Sequence, residues 1–139
     1  MFAVTATPAR YGPAGIEPIS GDVAGFVTST GEGFPLIYVT GDTVWFEGTA
    51  EVARRFPVEV VVLFAGAAQA RGPFNLTMNT NDALEIASRI PGALIVPVHF
   101  QGWQHFMQNQ DDLEKAFAAF GVSGRLRIVS PGGELTLPL

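Results

Sequence analysis

Cysteine is absent from this chain of 139 residues, which excludes disulfides, thiolate zinc sites and thiol catalysis. Its absence fits a reducing compartment, and the chain is read as cytoplasmic. Charge is scarce as well. Only 15% of residues are Asp, Glu, Lys or Arg, against about a quarter in ordinary soluble domains. With 47% hydrophobic residues, the chain cannot be the low-hydrophobicity, high-charge type that stays disordered. Eight basic and thirteen acidic residues leave a net charge of −5. No Lys/Arg run exists, so binding to nucleic acid through many phosphate contacts is not expected. Long hydrophobic runs are missing too. The most apolar stretch, Val60 to Ala70, is about half the ~20 residues that span a bilayer, so no membrane role is expected. The N-terminus has no charged region followed by an apolar one, and no signal peptide is read there. What remains is one domain, residues 1–139, either closed on itself or completed by a partner chain.

Glycine and proline are plentiful, with 16 and 10 residues, and they punctuate apolar segments. Strands are expected over Phe2–Thr7, Val23–Ser29 and Pro35–Thr40, the last two joined through Gly31-Glu32-Gly33 as an antiparallel hairpin. Thr49–Phe56 has helical spacing, with Thr49 as its cap. Val58–Phe64 is a β-branched run suited to a buried strand. The following loop, Ala65–Met78, is long enough to be a functional segment. Thr80–Ile90 reads as a helix with a stripe of Ala83, Leu84, Ala87 and Ile90, and Asp82 in its first turn. Ala93–Val98 reads as another buried strand. A helix opening at Asp111 or Asp112 presents Leu113, Ala116, Phe117 and Phe120, and a hairpin of Leu126–Val129 with Glu134–Leu137 ends the chain. The order implies an α+β (or α/β) fold: a mixed sheet with helices on one face.

Chemistry concentrates at strand ends. Asp42 follows a strand in Gly41-Asp42-Thr43, where an open sheet displays ligand-binding groups, although Asp and Gly also simply favour turns. His99 follows another strand, and behind it lie Phe100, Trp103, His105 and Phe106. Histidines at i and i+6 are not a zincin pair. No Gly-x-Ser-x-Gly elbow, P-loop or dinucleotide fingerprint is present.

Taken together, several segments resemble the C-terminal half of metallo-β-lactamase-fold hydrolases, in the branch with lactonase-like and phosphodiesterase-like members. They are Thr5-Ala-Thr-Pro-Ala-Arg-Tyr11-Gly-Pro, Gly25-Phe26-Val27, Ile37-Tyr-Val-Thr-Gly-Asp42-Thr43, Leu76-Thr-Met-Asn-Thr-Asn-Asp82-Ala83, and Val96-Pro-Val-His99-Phe-Gln-Gly-Trp103-Gln-His105-Phe106. The resemblance implies that Asp42 is a metal-bridging carboxylate and His99 a terminal metal ligand, for zinc or another divalent metal, or that the pair is vestigial and holds none. His105 would sit near the mouth of the site as a catalytic candidate for protonation, or order the loop with Trp103. The family's histidine before Gly-Pro is Tyr11 here, and a phenol with pKa near 10 is a poor ligand at neutral pH. The His-x-His-x-Asp-His motif of the N-terminal half is missing.

Two ligands fall short of the three that a catalytic zinc site takes from its protein. The resemblance therefore implies half of an αββα sandwich, without the complete dinuclear site and catalytically weak or inactive. The second reading is a metal-dependent hydrolase of esters, lactones or phosphodiesters, with a site assembled between subunits from Asp42 and His99. The bare sheet face implies a homodimer that rebuilds the sandwich, or a separate N-terminal-half chain as partner.

Overall fold

The computed structural model describes residues 2–139. Its sheet has five strands in the order β1-β2-β3-β4-β5: β1 Ala3–Pro8, β2 Ala24–Ser29, β3 Leu36–Val39, β4 Val58–Phe64 and β5 Leu94–Val98. β1–β2 and β2–β3 are antiparallel, as hairpin-length connections allow, while β3–β4 and β4–β5 are parallel and need crossover helices. The helices are α1 Glu17–Ser20, α2 Glu47–Arg55, α3 Thr80–Arg89 and α4 Gln110–Ala119. Among the described residues no helix is long and apolar enough to cross a membrane.

Strand periodicity divides the sheet into two faces. Val27, Tyr38, Val61 and Ile95 form one cross-strand row. They join Val52 of α2, Ile86 of α3, and Leu113 and Phe117 of α4 in a single buried core. These three helices therefore cover one face, as the pattern implied. The opposite face carries the rows Ala6–Phe26–Val39–Val62–Val96 and Val4–Thr28–Ile37–Val60–Leu94. Apolar exposure on it is uneven. Val60 and Val96 are buried, whereas Val4 is 54% and Phe26 41% exposed.

Several expectations are corrected by local chemistry. The terminal hairpin does not form. Leu126 instead bridges Ile95 in parallel and the Arg127 N–H bonds the Ile95 carbonyl at 2.9 Å, so the edge of β5 takes the hydrogen bonds a hairpin would have used. The Arg125 guanidinium fixes this segment by donating to the carbonyls of Ala87, Ile90 and Ala93 at 2.6–2.8 Å. Thr49 does not cap α2 from outside. It lies in the first turn, where its hydroxyl accepts from the Phe46 N–H at 2.9 Å, so α2 starts two residues earlier, at Glu47. In α3 the buried stripe includes Ile86, and Leu84 is only partly buried. Phe120 falls beyond the last turn of α4 and points to water, 72% exposed. Residues 17–20 make one helical turn with proline at its start, where a missing N–H costs nothing.

Candidate functional site

β3 and β5 flank β4 and run parallel to it, so their C-terminal ends open on the same edge of the sheet. Asp42 leaves β3 through Gly41, whose φ of +66° and place beside the Ala24 carbonyl, 2.7 Å from any added Cβ, demand glycine. Thr40 anchors this exit by accepting the Phe64 N–H of β4 at 3.1 Å. Thr43 ties in the first loop, since its hydroxyl accepts the Arg10 N–H at 2.9 Å and the Arg10 carbonyl accepts the Val44 N–H. The Gly-Asp-Thr segment thus locks Tyr11, next to Arg10, against the turn that carries Asp42.

His99 ends β5 in a left-handed backbone conformation, φ +53°, which non-glycine residues avoid and which marks sites held by their surroundings. Its ring lies 5.2 Å from that of Phe64 and 4.8 Å, edge-on, from that of Phe106. Gly66 makes room for this corner. A Cβ there would fall 2.6 Å from the His99 carbonyl and 2.7 Å from the Phe106 ring. The long loop expected over Ala65–Met78 packs here too, with the Met107 N–H on the Gly66 carbonyl and the Gln69 N–H on the His105 carbonyl.

The two candidate ligands meet. His99 Nε2 lies 3.5 Å from Asp42 Oδ1, yet that oxygen is buried and no hydrogen bond reaches it. The exposed part of the Asp42 side chain lies elsewhere. A buried carboxylate oxygen without a donor is costly, and a cation would satisfy it. The donor set stops there, however. Among the described residues no group of three or more His, Cys, Asp or Glu is placed to hold a metal, and catalytic zinc needs three protein ligands. By themselves these residues do not fit a complete metal centre.

Tyr11 supplies no third donor. Burial, and then the charge of Asp42, push its phenol above the ordinary value, with Arg71 opposing weakly. The only other tyrosine, Tyr38, is pushed up further by burial in the core. Both therefore hold their protons more tightly than a free phenol does. The unfolded chain loses these protons first, near pH 10. Their contribution to stability is thus intact below pH 10 and fades as pH rises towards the folded values. Absorbance titration is expected to show less phenolate in the folded chain at pH 10 than in denaturant.

The His105 ring lies against Trp103 at 5.6 Å and Phe106 at 5.0 Å, and Phe106 also touches the His99 ring. A hollow of about 390 Å³ opens beside His99, lined by Phe100, Gln101 and the 129–133 segment. The larger one, about 580 Å³, lies between α3 and the end of α4, away from Asp42 and His99. Sequence reasoning missed Phe64, Gly66 and Arg71. A glycine just after a buried strand was the available signal for Gly66, whereas the position of Arg71 near Tyr11 depends on loop packing without periodicity.

Comparison with known proteins agrees with the fold. The model of the beta-lactamase superfamily domain matches residues 1–100. The UPF0173 protein YddR of Bacillus subtilis is 26% identical over 118 residues, 85% of this chain and 46% of that protein. A UPF0173 metal-dependent hydrolase of Pelotomaculum thermopropionicum is 30% identical over 102 residues, 73% of this chain and 41% of that one. A possible metal-dependent hydrolase of Veillonella parvula superimposes with TM-score 0.90 at 24% identity, over 98% of this chain and 54% of its own. The isothiocyanate hydrolase from Delia radicum gut bacteria does so with TM-score 0.84 at 25% identity, over 96% and 52%. This chain spans about half the length of these relatives.

Proposed function

This chain belongs to the beta-lactamase superfamily domain family, and from that premise we propose that its 139 residues are a non-hydrolytic half of a metal-dependent hydrolase. Asp42 and His99 stand as a preformed pair of metal ligands without the donors that would complete them. The observation that carries this reading is the Asp42 Oδ1 atom, buried and unpartnered 3.5 Å from His99 Nε2. That arrangement suits one side of a divalent cation, with zinc the proposed metal. Among the described residues no further His, Asp or Glu joins it.

Bound metal would supply an acidified water as nucleophile. The part of this chain is narrower. β3 and β5 hold a carboxylate and an imidazole at one sheet edge, and Phe64 and Phe106 keep the imidazole oriented. The neutral phenol of Tyr11 lies beside them. The remaining donors of a complete centre lie outside these 139 residues. His105 serves the loop, its ring packed against Trp103 and Phe106.

Hydrolysis of ester, lactone and phosphodiester substrates by the isolated chain, with zinc added, tests the proposal. The expected rate equals that of free zinc, unchanged by Asp42→Ala or His99→Ala. Metal-dependent turnover that either substitution abolishes would contradict it.

A further inference from the structure

The two edges of the sheet are treated differently. β5 is covered by the chain itself, through Leu126 and the Arg127 N–H. β1 pairs only with β2, leaving its other side open. Natural edge strands are usually blunted by charge, bulges or a covering segment. None protects β1. Its pairing with β2 runs unbroken from Ala3 to Pro8, and the first charged residue of the chain is Arg10. Phe2, Ala3, Val4, Thr5 and Ala6 are all exposed, Phe2 to 65% and Val4 to 54%. On the outer face Ala6 stands opposite Phe26, itself 41% exposed.

We propose that β1 is a homodimerisation edge, where two copies pair antiparallel about a two-fold axis at Val4. Five exposed residues, Phe2 to Ala6, are centred on Val4, so the strand is complementary to itself. Val4 meets Val4, Ala3 meets Thr5, and Phe2 lies on Ala6 of the second copy, beside the Phe26 of that copy. Exposed apolar side chains are buried in pairs while the free N–H and C=O groups of the edge find partners. The absence of charge on the strand matters for a chain of net charge −5, because two copies then meet without like-charge contacts. Assembly stops at two. A contact across a two-fold axis is isologous, and the opposite edge is already occupied by residues 126–127.

This seat differs from the centre of the bare sheet face, where Val60 and Val96 are already buried. It also keeps the metal-ligand pairs apart. Five strand spacings separate the two copies of β3, about 24 Å, so the dimer does not complete a metal centre. The inference is independent of the reading of Asp42 and His99.

The lack of cysteine provides the test. In this register Val4→Cys places two thiols opposite each other, with Cα atoms about 4.5–5.5 Å apart, within the range a disulfide spans. Thr5→Cys puts its thiols two residues out of register, roughly 8 Å apart, beyond that range. Light scattering is expected to give twice the chain mass of 14.8 kDa. Mild oxidation is expected to cross-link Val4→Cys at least tenfold faster than Thr5→Cys. Val4→Lys, at an exposed position, is expected to weaken dimerisation at least tenfold with the circular dichroism spectrum unchanged. A monomer at micromolar concentration overturns the proposal. So does a dimer in which Val4→Cys fails to cross-link or which Val4→Lys leaves intact; such a dimer is seated elsewhere, as on the open face.

Discussion

Phe117→Ala is expected to remove about 3–5 kcal/mol of folding stability, while Phe120→Ala, three residues further on, changes it by less than about 0.5 kcal/mol. Both phenylalanines fit the helical spacing of the α4 segment, yet only one reaches the core. Phe117 is fully buried in the cluster that includes Leu113, Ile86 and Ile95, so truncation leaves a cavity under the sheet. Phe120 follows the last residue of the helix, just before Gly121 turns the chain at φ +69°, and its ring faces water. Typical domains are stable by only about 5–15 kcal/mol, so the first change brings the chain close to unfolding. Urea titration of both variants checks this through the shift in midpoint at constant slope. Equal losses for the two would show that α4 packs with a different face.

Where side chains repeat with a period, the fold was legible in the sequence. β4 stood out as a β-branched run and α3 through Ala83, Ala87 and Ile90, and the β2–β3 hairpin followed from its glycine turn. The C-terminal hairpin was misread because Leu126–Val129 has the composition of a strand. What decides its fate is the unpaired edge of β5, which no local pattern reveals. Thr49 was misplaced for a related reason. A threonine three residues into a helix and one before it look alike until the Phe46 N–H shows which it serves.

The site was legible to a similar depth. Asp42 and His99 were found because strand ends and motif resemblance point to them. Their approach to 3.5 Å follows from the parallel order β3-β4-β5, which is a tertiary fact. Strain at His99, the clearance that Gly66 provides, and the contact of Phe106 with both histidine rings all arise from packing of two loops. Those loops have no periodicity to read.

Metal content tests the account most directly. A carboxylate and an imidazole alone are one donor short of a catalytic zinc site, and metal affinity grows with every deprotonated ligand that a folded chain aligns. The 139-residue chain, loaded with zinc and passed through gel filtration, is therefore expected to retain far less than one zinc per chain. Asp42→Ala and His99→Ala are expected to change that content little. One or more zinc ions retained per chain, and lost when either Asp42 or His99 is replaced, would contradict the account.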